Sequence, residues 1–454
     1  MNSYLISSSK KSSGKTILSI GICSAIRSFK KVVAPFKKGP DYIDPLWLSK
    51  ASNKNCYNLD FYNMNNSEIK NLYSRNILNA DVSIVEGNKG LFDGISADGS
   101  DSNAALSKLL NLEVILILDC TGTTRGVAPL LSGYKAFDKT IKYKGVILNN
   151  IASQRHEGKI LTAIKEYTDL DVIGSINKNN SLNIFEQHLG LEPAFQKQNL
   201  NKTIKNITEI IKSSVNIKSL ITGKIKNKRN NGFVDLTFKK SYRDITLGIA
   251  LDEAFGFYYP DDLEKIIGQG VKIKYFDTIK DKRLPKVDAI FIGGGFPEIV
   301  AAKLAKNLSM KKSIYNFIES NKPAYAECGG LMYLCESIKT NLKLFKMVGA
   351  IKGKINMNKR PVGRGYVKIN TSGNHPWHKE GNSLFAHEFH YSDIKLKENL
   401  YKFGYNVQRG YGINGEKDGL VYKNLLATYA HMRDTKKCRW IDSFLKFIRK
   451  SKLL

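Results

Sequence analysis

The sequence predicts an α/β protein made of two doubly wound domains. The first half contains short apolar runs without polar alternation, which are typical of parallel strands covered on both faces. The stretches between these runs are long enough for crossover helices. A second pattern of the same kind begins near residue 245. A chain of 454 residues with 42% hydrophobic residues can bury a core in each half.

The first half opens with a short apolar strand at 4–7, a loop rich in Ser and Lys, and a helix. Gly, Asp or Asn residues bound the apolar runs that follow, as is usual at strand ends. Strands are predicted at 32–36, 82–85, 114–118 and 144–148, and helices at 155–167 and 200–213. The N-terminal domain is therefore predicted to span residues 1–220.

Residues 221–243 are rich in Lys, Arg and Asn and predict a basic linker. We interpret this stretch as a solvated linker rather than as a nucleic-acid-binding surface. The C-terminal domain is predicted at 244–454 and ends in an amphipathic segment. Its predicted strands lie at 245–251, 271–275, 289–292, 323–326 and 425–429.

The chain is strongly basic, with 71 Lys and Arg against 41 Asp and Glu and a formal net charge of +30. This charge favours a polyanionic partner, such as nucleic acid, acidic lipid or a small molecule with several carboxylates. Most of it is expected to be solvated surface, since Lys and Asn are abundant throughout the chain. No apolar run is long enough to span a bilayer, so no membrane association is expected.

Six scattered cysteines contain no C-x-x-C pair, which excludes zinc-ribbon and thioredoxin-like sites and predicts a reduced, cytoplasmic protein. The basic and then apolar stretch at 10–26 also has features of a signal peptide. We interpret it instead as a phosphate loop followed by its helix.

Residues 9–16 read SKKSSGKT and match the phosphate-loop pattern G-x-x-x-x-G-K-[ST], except that Ser9 replaces the first Gly. Gly14 lets backbone N–H groups approach the phosphates, Lys15 supplies a cation, and Thr16 supplies a hydroxyl for Mg²⁺. The loop follows a predicted strand and opens a predicted helix, as the motif requires. The sequence therefore predicts an ATP site.

Acidic loops follow two other predicted strands of the first half. Residues 36–45 read FKKGPDYIDP, and residues 85–94 read VEGNKGLFDG. Because ligands bind at the carboxyl ends of the strands in open α/β sheets, these loops should meet the phosphate loop. Mg²⁺ prefers a few carboxylates together with water and phosphate oxygens. The charged side chains expected at this edge are Lys37, Asp41, Asp44, Glu86 and Asp93.

A second candidate site lies in the C-terminal half. Residues 323–334 read PAYAECGGLMYL, in which a strand ends at a Cys followed by two Gly and a helix. This is the nucleophile-elbow arrangement with Cys328 in place of Ser, and the helix N-terminus would favour its thiolate. The GGGFPE turn at 293–298 exposes backbone N–H groups. The predicted oxyanion hole comprises Gly294, Gly295 and Gly329.

A cysteine nucleophile needs a base, and seven histidines are present. His431 follows a predicted strand near the C-terminus, and His387 and His390 are its rivals. The H-x-x-H spacing of the rivals lacks a third metal ligand, so we predict no metal there. His375 and His378 lie in a loop-like NHPWH stretch and are expected at the surface.

These motifs carry a resemblance to a known family. KKGPDYIDP together with VEGNKGLFDG strongly resembles the cobyrinic and hydrogenobyrinic acid a,c-diamide synthase family of corrinoid biosynthesis. The N-terminal half is similar more broadly to dethiobiotin synthetase-like P-loop ATPases, and the C-terminal half to class I glutamine amidotransferases. The ordered motifs extend over nearly the whole chain, from the phosphate loop to His431.

The resemblance implies an ATP-dependent amidoligase that uses glutamine as the amide donor. ATP would convert the a- and c-acetate carboxylates of cobyrinic or hydrogenobyrinic acid into acyl phosphates. Ammonia released from glutamine would travel along a sequestered path between the domains. Part of the positive charge of the chain would then attract a corrinoid substrate that bears many carboxylates. Nucleic acid and membrane are not expected as partners, and a homodimer is compatible with this interpretation.

The resemblance and the motifs together imply roles for individual residues. ATP is assigned to Gly14, Lys15, Thr16 and Lys37, Mg²⁺ to Thr16, Glu86 and Asp41, and the substrate carboxylate to Asp93 and Asp44. Asp44 has the alternative of capping a turn. Cys328 is assigned as the nucleophile and His431 as the base. Arg433 stands where class I amidotransferases usually carry a Glu, which implies a Cys–His dyad.

Three alternatives stay open at this point. The first is a sibling tetrapyrrole amidase, either cobyric acid synthase or nickel-sirohydrochlorin a,c-diamide synthase. The second is a nucleic-acid-binding P-loop ATPase, which only the net charge favours. The third is a non-catalytic ATPase with a degenerate amidotransferase domain, although Cys328 and His431 are both present.

Overall fold

A computed structural model describes residues 1–178, 186–187, 190–191, 200–222, 240–340, 343–397 and 400–453. The chain divides into two compact units, Met1–Asp235 and Leu236–Leu454. Most of the predicted linker, residues 223–239, lies outside the described residues. Within the described ranges, no helix has both the length and the apolar character needed to cross a membrane.

The first unit contains strands and helices in alternation. Its strands are β1 (Asn2–Ser8), β2 (Val33–Lys38), β3 (Tyr57–Leu59), β4 (Val82–Glu86), β5 (Glu113–Asp119), β6 (Tyr143–Ile151), β7 (Val172–Asn177), β8 (Glu186–Gln187) and β9 (Gly190–Leu191). Its helices are α1 (Lys15–Ser28), α2 (Ile43–Ser52), α3 (Asn66–Asn76), α4 (Asn103–Leu110), α5 (Val127–Phe137), α6 (Gln154–Tyr167), α7 (Leu200–Ser214) and α8 (Lys218–Ile221).

Seven of these strands form one parallel sheet in the order β3-β2-β4-β1-β5-β6-β7. The interior strands are buried along nearly their whole length, as their unalternated apolar runs predicted. The strands β3 and β7 at the two edges were not predicted. These strands are short or contain polar residues, because an edge strand has only one neighbour and needs less apolar surface.

The register of the sheet brings three loops together. Lys37 on β2 lies beside Glu86 on β4, and Ile6 on β1 lies on the other side of Glu86. Because these strands are parallel, their carboxyl ends meet at one edge. The phosphate loop and the two acidic loops therefore surround the end of β4.

The second unit has a larger number of strands. They are β10 (Thr246–Ala250), β11 (Phe255–Phe257), β12 (Lys272–Phe276), β13 (Ala289–Ile292), β14 (Gly294–Gly295), β15 (Ala324–Glu327), β16 (Cys335–Thr340), β17 (Lys343–Lys346), β18 (Ile351–Met357), β19 (Gly363–Thr371), β20 (Ser383–His390), β21 (Ser392–Leu396), β22 (Lys402–Arg409), β23 (Lys417–Tyr422) and β24 (Leu425–Thr428). Its helices are α9 (Pro260–Gly268), α10 (Ala301–Lys306), α11 (Leu308–Glu319), α12 (Gly329–Leu334) and α13 (Trp440–Leu453).

The main sheet of this unit has the order β12-β10-β13-β15-β24-β23-β22-β19-β20. Its first five strands are parallel, which confirms the predicted α/β architecture. The remaining strands are antiparallel and were not predicted. Lys and Gly interrupt their apolar residues, as suits strands with one exposed face. A smaller sheet, β17-β16-β18-β21, completes the unit.

Candidate active sites

The phosphate loop connects β1 to α1 through a backbone turn that requires glycine. Gly14 has φ 88° and ψ 11° at the N-cap of α1. A Cβ atom at this position would lie 2.5 Å from Asn149 Nδ2. The Asn149 amide donates to Ser13 O at 3.1 Å, so it supports the loop from the end of β6. The motif alone gave no signal for Asn149.

Lys15 bends back over the same loop. Its Nζ donates to Ser8 Oγ at 2.8 Å and to Lys10 O at 3.3 Å. Burial and the neighbouring Lys37 lower the pKa of Lys15 to about 8. A bound phosphate group would stabilise the protonated form of Lys15. This suits the predicted role of Lys15 in binding ATP.

A cluster of buried charges lies beside the phosphate loop. Lys37 Nζ lies 2.5 Å from Asp44 Oδ2 and 2.7 Å from Glu86 Oε1. Thr16 Oγ1 donates to Glu86 Oε1 at 2.7 Å and to Asp44 Oδ2 at 3.2 Å. Burial alone would lower the pKa of Lys37, but Asp44 and Glu86 raise it well above its usual value. The lysine is therefore a permanent cation between two carboxylates.

This cluster fits a divalent cation. Glu86 is fully buried, and in the described part of the chain its Oε2 atom has no hydrogen-bond partner. Burial raises the pKa of Glu86, so the carboxylate gains from a second cation. Among the described residues, no three His, Cys, Asp or Glu side chains form a ready metal site. Mg²⁺ held here would draw its other ligands from phosphate and water, as it commonly does.

Asp41 and Asp44 differ from their predicted placement. Asp44 contacts Thr16, whereas Asp41 Oδ1 accepts from the backbone N–H groups of Ile43 and Asp44 at the start of α2. Asp41 Oδ2 lies 3.8 Å from Lys37 Nζ. The structure thus brings Asp44 next to Thr16 and Glu86, and Asp41 lies at the edge of the cluster, beside Lys37 and Asp44.

The loop after β4 is held by a buried amide that the sequence analysis missed. Asn103, at the start of α4, donates to Ser7 Oγ at 3.2 Å and to Gly90 O at 2.8 Å. Asp93 lies on this loop and accepts from the Gly90 N–H at 3.0 Å. Asp93 therefore lies beside the cluster and is not a member of it.

The second candidate site is built on a strained turn. Cys328 lies between β15 and α12 with φ 46° and ψ −102°, a conformation that L-residues rarely adopt. Its backbone N–H donates to Thr428 O at 2.7 Å. A Cβ at Gly330 would lie 2.1 Å from Ile292 O, and one at Gly329 would lie 2.9 Å from Gly295 O. Only glycines fit after the cysteine, as a nucleophile elbow requires.

The GGG turn packs against His431 and against Gly329, the residue that follows Cys328. A Cβ at Gly294 would lie 2.4 Å from His431 Cε1. A Cβ at Gly329 would lie 3.0 Å from Gly295 N. The three glycines predicted for the oxyanion hole therefore surround the elbow, and their role stays a prediction.

His431 is the histidine that interacts with the thiol. Burial would lower the pKa of His431, but Cys328, first by its charge and then by a side-chain hydrogen bond, and Glu327 raise it to about 10. His387 stacks on His431, with ring centroids 5.0 Å apart, and burial lowers the pKa of His387 well below its usual value. His390 stacks on Tyr429 at 3.8 Å. The rivals of His431 therefore pack around the site.

A buried carboxylate that the sequence analysis missed also faces His431. Glu327 Oε2 lies 3.5 Å from His431 Nδ1. Arg433, which stands at the usual position of the third class I residue, pairs instead with Asp261 at 2.9 Å. Only the alternation of side chains along β15 could have placed Glu327 on a defined face of that strand.

The expectation that His375 is at the surface is wrong. This residue is buried, and its Nε2 lies 3.0 Å from Tyr405 Oη. Its Nδ1 accepts from the backbone N–H groups of Trp377 and His378. The histidine caps its own turn, which explains its place in an NHPWH stretch.

We predict that His431→Ala lowers glutamine hydrolysis by about 10²–10⁴-fold, the usual contribution of a positioned base. His387→Gln should change it less than about tenfold, because a stacked neutral ring moves no proton. Steady-state release of glutamate from glutamine measures both variants. Equal losses, or a larger loss in His387→Gln, would reverse the assignment.

Known protein families match both halves of the chain. A CobB/CobQ-like glutamine amidotransferase domain matches residues 246–437, and an AAA domain matches residues 2–184. The chain is 38% identical to the cobyrinate a,c-diamide synthase of Magnetococcus marinus, over 98% of this chain and 96% of the relative. It is also 38% identical to the enzyme of that name from Picrophilus torridus, over 95% of each chain.

A solved crystal structure of a glutamine amidotransferase is 15% identical to this chain, with a TM-score of 0.33. The match covers 45% of this chain and 98% of that chain. At so low a TM-score this likeness carries no weight for the function.

Proposed function

The chain belongs to the cobyrinate a,c-diamide synthase family, and we propose that it amidates the a- and c-acetate carboxylates of cobyrinic or hydrogenobyrinic acid with ATP and glutamine. The similarity of both halves to such synthases, over nearly the full length of each chain, carries this proposal. The two candidate sites supply the two half-reactions that amidation requires.

The first half-reaction activates a carboxylate. A carboxylate is a poor electrophile, so ATP must convert it to an acyl phosphate. Phosphoryl transfer depends mainly on positioning and charge neutralisation. Lys15 and the phosphate loop would hold the nucleotide, and Lys37 would neutralise charge beside it. Thr16, Glu86 and Asp44 would hold Mg²⁺, which supplies further neutralisation when it is bound.

The remaining acidic residues are assigned to the substrate side. Asp93 lies on the loop after β4, beside the charged cluster. Asp41 lies at the edge of the cluster, beside Lys37 and Asp44. Burial and the neighbouring Asp44 raise the pKa of Asp41 to about 7. A carboxyl group that is protonated part of the time can donate a hydrogen bond to an incoming carboxylate.

The second half-reaction releases ammonia from glutamine. Cys328 attacks the side-chain amide carbon, and the C–N bond breaks as His431 gives a proton to the departing ammonia. Water then hydrolyses the glutamyl thioester. A pKa of about 10 keeps His431 protonated at neutral pH, so the proton that the departing ammonia needs is held at this ring. All six cysteines are free, as expected in the reducing cytoplasm where we place this reaction.

The test is to incubate the purified protein with ATP, Mg²⁺ and glutamine together with cobyrinic acid, and in parallel with hydrogenobyrinic acid. Mass spectrometry should show two carboxylates replaced by amides, and omission of ATP should stop the reaction. Nickel-sirohydrochlorin and the substrate of cobyric acid synthase serve as competitors. If a competitor is amidated faster, the protein has the activity of that sibling amidase instead.

A further inference from the structure

Glu327 is the last residue of β15 and immediately precedes the nucleophile. Its side chain is 2% exposed, and that of His431 is 3% exposed. One carboxylate oxygen, Oε1, accepts from Tyr325 Oη at 2.7 Å and from the Met432 N–H at 2.9 Å. The other oxygen, Oε2, is the one that faces His431 Nδ1. The carboxylate is therefore fixed by two donors and directs its second oxygen at the imidazole.

We propose that Glu327 is the third member of the glutaminase site, a positioning residue that orients His431 and stabilises its protonated form. The proposal rests on the roles of Cys328 and His431 given above. A carboxylate at Nδ1 holds a proton on that nitrogen and leaves the other ring nitrogen to exchange a proton with the thiol. It also supplies the negative charge that a buried imidazolium needs.

The other acidic residues near the site are occupied elsewhere. Asp418 accepts from Thr428 Oγ1 and from three backbone N–H groups, which holds the end of β24. Glu388 accepts from the N–H groups of Tyr411 and Gly412 and lies 3.8 Å from His390. Glu327 is therefore the carboxylate that the geometry assigns to His431.

The titration of His431 depends on the groups around it. Cys328 and Glu327 face it from the elbow, and His387 stacks on it from β20. Burial, His431 and Arg433 together lower the pKa of His387, and Arg433 pairs with Asp261 of α9. Of these groups, only Cys328 and Glu327 stabilise the protonated imidazole.

A purely structural role for Glu327 makes a different prediction. Its bond to the Met432 N–H holds the turn after His431, and losing that bond could by itself displace the histidine. Glu327→Gln separates the two roles. The amide retains an oxygen that can accept from Met432 and Tyr325, and it removes the charge opposite His431. Tyr325→Phe is the matched control, since it removes one donor to the same oxygen and keeps the charge.

We expect kcat for glutamine hydrolysis to fall by about 10²–10⁴-fold in Glu327→Gln, as when the carboxylate of a triad is neutralised. KM for glutamine should change little, because Glu327 has no predicted contact with substrate. Amidation with free ammonia should persist. The rate of alkylation of Cys328 by iodoacetamide, followed against pH, should have its midpoint shifted upward, since an unstabilised imidazolium pairs less well with the thiolate. Tyr325→Phe should keep the wild-type midpoint.

Two results would overturn the proposal. One is a kcat in Glu327→Gln within about tenfold of the wild type, and the other is a loss of kcat with an unchanged alkylation midpoint. If Glu327→Gln does not fold, the pH dependence of Cys328 alkylation is measured in Glu327→Asp instead. The shortened carboxylate lies farther from His431, so the midpoint of alkylation should still shift. The proposed function would fail separately, through normal glutamine hydrolysis by Cys328→Ala.

Discussion

Replacing Cys328 by alanine should abolish amidation with glutamine and preserve amidation with free ammonia. The reason is that the thiol is the proposed nucleophile for the amide carbon of glutamine. Loss of a covalent nucleophile commonly costs on the order of 10⁴-fold or more. Glutamate release and amide formation are measured in parallel, with glutamine and with an ammonium salt. We expect the N-terminal site to accept ammonia from either source, so activity with the ammonium salt would show that the variant is folded.

Cys335→Ala is the matched control for this variant. Cys335 lies seven residues farther along the chain, is fully buried, and its Sγ donates to Leu331 O at 3.3 Å. Its loss removes a small core side chain and no reacting atom, so glutamine hydrolysis should continue. If Cys328→Ala hydrolyses glutamine at a normal rate and Cys335→Ala is also active, Cys328 is not the nucleophile.

Replacing Glu86 by glutamine should lower ATP turnover by about 10²–10⁴-fold while glutamine hydrolysis continues. Glu86 accepts from Thr16 and Lys37 through one oxygen, and its other oxygen is buried without a partner in the described structure. The amide keeps the shape of the side chain, removes its charge and points an N–H group at cations. Phosphate release from ATP and the ratio of mono- to diamide measure the effect.

Asp93→Asn is the informative contrast to Glu86→Gln. Asp93 accepts from the Gly90 N–H beside the cluster and has no contact with Thr16 or Lys37 among the described interactions. We expect this variant to retain more ATP turnover and to accumulate monoamide. Near-wild-type ATP turnover and full diamide formation in Glu86→Gln would remove Glu86 from the metal site.

The sequence predicted the N-terminal site to the level of its loops. Parallel strands end at a common edge, so the loops after β1, β2 and β4 had to meet, and Thr16, Lys37 and Glu86 do. The sequence could not decide which aspartate faces Thr16. That choice depends on where α2 begins, because Asp41 caps the helix and Asp44 lies within its first turn.

In the second unit the sequence predicted an elbow at Cys328 and proposed His431 as the base, but it did not indicate that Glu327 faces that histidine. The motif around Cys328 is local, whereas the contact between Glu327 and His431 joins residues about a hundred positions apart. It depends on the pairing of β15 with β24, which no pattern within either strand reveals. The antiparallel strands were missed for another reason, since Lys and Gly interrupt their apolar residues and weaken the strand pattern.

The glycines around Cys328 have an evolutionary consequence. Positions 294, 329 and 330 each lie so close to His431 or to backbone carbonyls that even one added carbon must displace them. Mutation therefore cannot adjust the glutaminase in small steps there, and most changes at these codons would be eliminated by selection. A descendant of this protein that acquires another polycarboxylate substrate would have to change its N-terminal half and inherit the ammonia-producing half almost unaltered.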